Sequence, residues 1–225
     1  MALPRAQRLP GVMRAATFLI HRIADRVAES ISYRGRVVDL GCGTAPYRDL
    51  ILQQADEYIG VDWHNSLHDQ SRVDVFADLT QPLPMETAHA DTVISFQVME
   101  HLPEPARFLS ECHRILKPGG QVHITVPFMW HVHEAPHDYF RYTRHGLEYL
   151  LKKAGFTDIS VQEYAGFWQT WVLKFNYHSM RYARGVLKYF WVPIWIANQL
   201  IAPVLDRLDP HPQEATGYLA TATKA

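Results

Sequence analysis

The sequence predicts an α/β protein built on a mostly parallel sheet with helices on both faces. Three observations predict it. From residue 36 onward, short β-branched apolar runs alternate with helix-length amphipathic segments. A Gly-rich turn follows the first run, and the second run ends in an acid. The chain has 225 residues, 48% hydrophobic and 20% charged, which suits one such domain with a core that needs no cross-links.

The elements follow in order. Val12, Ala15, Ala16, Leu19, Ile20, Ile23 and Val27 recur at helical spacing, so residues 1–35 read as an amphipathic helical cover. It either packs on the core or closes over a ligand site. Arg5 and Arg8 imitate a leader's charged start. Arg14, His21, Arg22 and Asp25 break the apolar stretch that should follow, so no signal peptide is expected. Strands are expected at Arg36–Leu40, Tyr58–Val61, Val73–Phe76, Thr92–Phe96, Gln121–Val126, Ile159–Tyr164 and Tyr218–Thr223. A helix over 105–117 has Pro105 near its start and Lys117-Pro118-Gly119-Gly120 as its stop. A second helix over 144–154 has Thr143 as N-cap, Lys152 and Lys153 near its C-terminal dipole, and Gly155 just past its end.

Composition excludes several functions. Twenty-two Lys and Arg stand against 23 Asp and Glu, so nothing in the charge points to nucleic acid. Two cysteines, Cys42 and Cys112, make a disulfide scaffold improbable and fit a reducing, cytoplasmic compartment.

The turn Val37-Val38-Asp39-Leu40-Gly41-Cys42-Gly43-Thr44-Ala45 lies at a strand's C-terminal end, where open α/β sheets bind ligands. Bare backbone at Gly41 and Gly43 admits a ligand closely. Asp62, ending the second strand, suits a pair of ribose hydroxyls. A dinucleotide fingerprint needs a glycine at position 46, where this chain has Pro46. Asp39 would repel a pyrophosphate and attract the cationic amino group and sulfonium of S-adenosylmethionine. A nicotinamide-dependent oxidoreductase and a non-catalytic cofactor-binding or scaffold protein remain as rival readings.

The motifs Val38-Asp39-Leu40-Gly41-Cys42-Gly43-Thr44, Gly60-Val61-Asp62, Ala77-Asp78-Leu79, Phe96-Gln97-Val98-Met99-Glu100-His101-Leu102 and Leu116-Lys117-Pro118-Gly119-Gly120 stand in order along the chain. With them, residues 36–165 and the last strand resemble the Rossmann-like class I S-adenosylmethionine-dependent methyltransferases of the Methyltransferase-11-like kind. The resemblance implies a seven-stranded sheet whose last strand runs antiparallel beside Ile159–Tyr164. It also implies one methyltransferase domain with a cofactor core over 36–166; the chain itself adds an aromatic helical insertion over 167–212 before the final strand in 213–225. Asp39, Gly41, Cys42 and Gly43 would line the methionine end of the cofactor. Asp62 would hold the ribose, with Trp63 beside the adenine. Asp78 would accept from the adenine amino group near the Leu79 backbone, and Phe96 and Gln97 would lie under the methionine portion. Ala45 departs from the family, which often has a third glycine there.

The run Pro127-Phe128, His137-Asp138-Tyr139-Phe140-Arg141-Tyr142-Thr143, Gly146-Leu147 and Ala154-Gly155-Phe156 is similar to a subgroup that accompanies glycan-assembly enzymes. It implies a sugar or lipid-linked acceptor of a methyl group on oxygen or nitrogen.

His133-Glu134-Ala135-Pro136-His137 matches H-E-x-x-H, but Pro136 forbids the helix that a zinc protease needs. A looser site of His131, His133 and His137 is conceivable, and no metal is expected. The segment follows the fifth strand's C-terminal end, where an α/β active site opens. His133 or His137 is the candidate general base, oriented by Glu134 or Asp138. The alternative gives Asp138 and Arg141 a loop-fixing ion pair and the histidines a lining role. The histidine of Glu100-His101 either caps or touches substrate. The aromatic stretch 167–210, with Trp168, Trp171, Tyr189, Phe190, Trp191 and Trp195, suits a lid, a homodimer interface or a peripheral membrane patch. Lys188, Pro193, Asn198, Gln199 and Pro203 argue against a membrane span.

Overall fold

The computed structural model describes residues 11–65, 69–211 and 213–225. Arg5 and Arg8 lie outside these residues, as does the side chain of Val12. The chain divides into two compact units, one of residues 31–162 and 218–225, the other of residues up to 30 and 163–217.

The first unit carries the sheet. Its strands are β1 (Arg36–Leu40), β2 (Glu57–Asp62), β3 (Val75–Phe76), β4 (Ala90–Phe96), β5 (Leu116–Pro127), β6 (Phe156–Tyr164) and β7 (Gly217–Lys224). They form one seven-stranded sheet in the order β3-β2-β1-β4-β5-β7-β6. β1 through β5 are parallel, and the antiparallel strands lie at the β7-β6 end. The expected antiparallel last strand is thus present, between β5 and β6.

Alternation along the strands covers both faces. Val38, Leu40 and Val93 pack with Phe108, Leu109 and Cys112 of α3 (Pro105–Ile115) and Leu147 and Leu151 of α4 (Arg144–Lys153). Val37 and Ile94 face the other way, onto Tyr33, Ala55, Tyr58 and Ile51 of the one-turn α2 (Arg48–Ile51). Thr143 caps α4 by accepting from the Gly146 amide at 3.1 Å, and Gly155 takes φ +96° past its end, both as the sequence implies.

One boundary differs. Lys117-Pro118-Gly119-Gly120 begins two residues past the helix end but lies inside β5. α3 stops at Ile115, and the chain turns extended at Leu116 with ψ 142°. Pairing to β4 jumps from Ala90↔Leu116 to Thr92↔Gln121, so the segment is a bulge absorbed by the strand. Gly119 takes φ +77° there, and Lys117 Nζ reaches both oxygens of Asp91 at 2.8 Å.

The second unit contains α1 (Gly11–Ser30), α5 (Phe167–Ser179) and α6 (Lys188–Leu208). Within it α1 packs on α5 and α6 through Ala16, Leu19 and Ile23. Buried amides lock the three helices. Gln199 Nε2 donates to the Ala15 carbonyl at 2.6 Å while its Oε1 accepts from the Leu19 amide at 2.9 Å. That places a side chain between the partners of an i, i+4 helical bond. Asn176 Nδ2 donates to the next carbonyl, Ala16, at 3.1 Å. The N-terminus of α5 has no cap of its own; Asp206 of α6 accepts from the amides of Gly166, Trp168 and Gln169 at 3.0, 2.8 and 3.3 Å. Among the described residues no helix is long and apolar enough to cross a membrane.

Two stability predictions follow from these contacts. Gly41 has φ +82°, and a Cβ there would overlap the Val98 side chain. Gly41→Ala is therefore expected to cost about 2–4 kcal/mol in urea unfolding, and adding Val98→Ala should recover the overlap part but not the backbone part. Asp206→Ala should cost about 1–3 kcal/mol by leaving amides at the α5 start unpaired, measured the same way.

Candidate cofactor and acceptor site

The strand order reverses between β1 and β4, so the crevice of an open α/β sheet lies beyond their C-terminal ends. The β1 loop and the Phe96-Gln97 end of β4 both emerge there.

The loop is tied to β2. Gly41 and Cys42 amides both donate to the Val61 carbonyl, at 2.8 and 3.0 Å. The Gly43 amide donates to Asp62 Oδ2 at 2.9 Å, and the Trp63 amide to Oδ1 at 2.8 Å. Each carboxylate oxygen has two lone pairs, so each keeps accepting capacity. Asp62 is 8% exposed and Asp39 5%. Asp39 Oδ2 accepts from the Tyr58 hydroxyl at 2.6 Å. Burial and the Asp39 charge hold that hydroxyl far above its ordinary range, so it stays a donor. Burial, then Asp39, Asp62 and Asp74, push the Cys42 thiol up in the same way. Its sulfur packs where a Cβ on Gly60 would sit, 3.0 Å away, which explains the small residue in the second motif. Cys42 and Cys112 are both free and buried. Ala45 has φ +46° and is fully buried, a backbone state that accounts for glycine being common at that position.

The other residues named from sequence lie around this loop or near it. Trp63 is 40% exposed and meets His137 edge-on, ring centroids 5.9 Å apart. Asp78 is exposed; its Oδ1 accepts from the Thr80 amide and hydroxyl at 2.9 and 2.7 Å. Leu79 buries its side chain in the core, which leaves its backbone as the part a ligand could meet. Phe96 packs edge-on against Tyr47 at 5.9 Å. Gln97 takes φ +57°, its amide donating to the Thr125 carbonyl at 2.9 Å.

The segment 131–143 contains no helix, as Pro136 implies. Its two H-E-x-x-H histidines diverge. His137 faces Trp63 and Tyr139, whereas His133 faces His101, with ring centroids 4.9 Å apart. Asp138 forms the expected pair with Arg141, bidentate at 2.7 and 2.8 Å, and also accepts from the His133 amide at 2.8 Å. Those bonds hold its carboxyl well below the usual carboxylate range. Burial shifts His133 below the ordinary imidazole range, opposed by the Asp138 charge.

The residue that the sequence reading undervalued is Glu100. It is fully buried, and burial pushes its carboxyl up to about 8. Neither side-chain oxygen has a hydrogen-bond partner among the described residues. The Tyr139 amide donates to its backbone carbonyl at 2.9 Å, so the loop folds over it. The available signal was an acid set between Met99 and Leu102, both apolar, with only His101 beside it.

Residues 13–161 match the family model described as "Methyltransferase domain". The chain is 37% identical over 144 residues to a probable S-adenosylmethionine-dependent methyltransferase of Mycolicibacterium smegmatis, covering 56% of this chain and 54% of that protein. It is 30% identical over 128 residues to a ubiquinone biosynthesis O-methyltransferase of Pseudomonas aeruginosa, covering 52% of each. The chain thus spans about half the length of these curated relatives. Among solved structures, an Archaeoglobus fulgidus S-adenosylmethionine-dependent methyltransferase aligns with TM-score 0.60 at 18% identity, covering 92% of this chain and 93% of that one. A Haemonchus contortus phosphoethanolamine N-methyltransferase 2, crystallised with S-adenosylmethionine, aligns at 0.58 and 18%, covering 95% and 56%. At these identities the structural likeness fixes the fold alone. The family match covers well over half of the chain, and with it the protein belongs to the methyltransferase-domain family of the class I, S-adenosylmethionine-dependent type.

Proposed function

We propose that the protein is a single methyltransferase domain that moves a methyl group from S-adenosylmethionine to an oxygen or nitrogen of a small-molecule, sugar or lipid-linked acceptor. The observation that carries this reading is the Asp62 carboxylate, fixed by Gly43 and Trp63 amides at the crevice with lone pairs to spare. Two nearly buried acids, Asp39 and Asp62, at the mouth of a bare glycine loop fit a ligand that is cationic at one end and a ribose diol in the middle.

Each residue has a role in that reading. Asp39, Gly41, Cys42 and Gly43 shape the methionine end. Asp62 takes the ribose hydroxyls, and Trp63 flanks the adenine. Asp78 accepts from the adenine amino group beside the Leu79 backbone. Phe96 and Gln97 form the floor. When bound, S-adenosylmethionine supplies a methyl group already activated by its sulfonium. The protein's own contribution is then alignment of the acceptor and removal of its proton. His133 or His137 takes that proton, and the Asp138–Arg141 pair holds the loop that carries both.

The exposed apolar face of α6 favours a lipid-linked acceptor reached at a membrane surface. Only Trp195, Gln199 and Ala202 of this helix are buried, while Tyr189, Phe190, Leu200, Ile201, Val204 and Leu208 are exposed. The subgroup likeness of 127–156 points to the same acceptor class. Lys188 and Arg181 lie among these aromatics, a mix suited to a lipid headgroup layer.

Calorimetric titration tests the reading. S-adenosylhomocysteine should bind and NADH should not. Asp62→Asn should weaken the former by about 10- to 100-fold, as expected for charge-assisted hydrogen bonds of about 1.5–3 kcal/mol. Equal binding of NADH, or an unchanged affinity in Asp62→Asn, would remove the basis for the proposal. Phe190→Glu with Ile201→Glu should abolish sedimentation with anionic lipid vesicles while leaving that affinity unchanged; co-sedimentation equal to wild type would exclude the membrane face.

A further inference from the structure

We infer that Glu100, His101 and His133 form a binding site for a divalent transition-metal ion, a departure from the sequence-based expectation of no metal. Glu100 Oε1 stands 3.7 Å from His101 Nε2 and 3.8 Å from His133 Nε2, and one ligand atom from each residue falls within 4.8 Å of the other two. These gaps exceed hydrogen-bonding distance, so the histidines do not satisfy the buried carboxylate. They approach the separation of ligands sharing one ion, about 3.3 Å for bonds of about 2.0–2.1 Å in a tetrahedron. A fully buried acid without a hydrogen-bond partner among the described residues, aimed at two imidazole nitrogens, is costly as it stands and favourable around a cation.

The outer contacts of both rings support the same assignment. His101 Nδ1 lies 2.6 Å from the His137 carbonyl, which only accepts, so Nδ1 carries the proton and Nε2 presents its lone pair to Glu100. His133 Nδ1 lies 3.3 Å from the His131 carbonyl and 3.4 Å from Asp138 Oδ2, with the Arg141 guanidinium also 3.4 Å away, so two acceptors against one donor favour the same tautomer. Carboxylate or carbonyl partners on the far nitrogen are the usual setting of metal-binding histidines. Two imidazoles and one carboxylate suit zinc, cobalt, iron or manganese better than calcium or magnesium, and they leave coordination positions open.

The role of the ion rests on the methyl-transfer reading. An acceptor hydroxyl bound to it would lose its proton more readily and be held as the nucleophile. His133 is then a ligand, and proton removal falls to His137.

The test is cobalt(II) absorption on protein stripped with chelator, with S-adenosylhomocysteine calorimetry on the same samples. Wild type should show a saturable visible band at one ion per chain, displaced by zinc. Glu100→Gln should lose the band, and so should His133→Ala, which removes a partly exposed loop side chain and spares the core. Asp138→Asn should weaken binding by about 10- to 100-fold. Homocysteine-nucleoside affinity should stay within about twofold in every variant, which separates this site from the cofactor reading. No stoichiometric band in wild type, or an unchanged band in both ligand variants, would overturn the assignment.

Discussion

The arrangement of the crevice depends on one contact, the bond from the Gly43 amide to the Asp62 carboxylate. β1 and β2 run in register, with Asp39 opposite Gly60 and Leu40 opposite Val61. The Val61 carbonyl then takes two amides from the turn, and Asp62 takes the third. A loop that glycine would leave free is thereby held to the end of the neighbouring strand. The same bond keeps a nearly buried charge at the crevice instead of in the core. The cradle and the charge it offers are thus joined in one turn, with the Val61 carbonyl and the Trp63 amide as the further ties.

A second carboxylate is treated in the opposite way. Glu100 sits at the same end of the sheet, five positions past Ser95, yet its side chain receives no hydrogen bond among the described residues. Asp138, in the loop above, is saturated by Arg141 and the His133 amide. A fold that satisfies one acid so completely and leaves the adjacent one bare is spending stability at the second position. Such local cost is typical where chemistry or an ion is to be accommodated. The histidines around Glu100 make an ion the economical explanation.

Much of the fold was legible because periodicity reports burial. β1 was read to the residue, since Val37 and Val38 are buried on opposite faces and the glycine turn follows at once. The Thr143 cap and the Gly155 end of α4 were legible because they are local chemistry. The Lys117-Pro118-Gly119-Gly120 segment was misread for a non-local reason. Pro and Gly mark a break in any local pattern, and only pairing with β4 turns the break into a bulge. The insertion over 167–212 was legible as helical, and α6 tolerates Pro193 and Pro203 within its 21 residues. The site divided along the same line. Asp39, Gly41 and Asp62 follow from strand ends, whereas the burial of Glu100 requires the chain at Tyr139 and Phe140 to fold back onto its carbonyl. The divergence of His133 from His137 has the same origin.

A crystal structure with S-adenosylhomocysteine tests the central claim most directly. Both ribose hydroxyls are predicted within about 3 Å of the Asp62 carboxylate, with the Gly43 amide still bonded to it. A nucleoside bound elsewhere, or an Asp62 side chain turned away from an ordered ribose, would contradict the account.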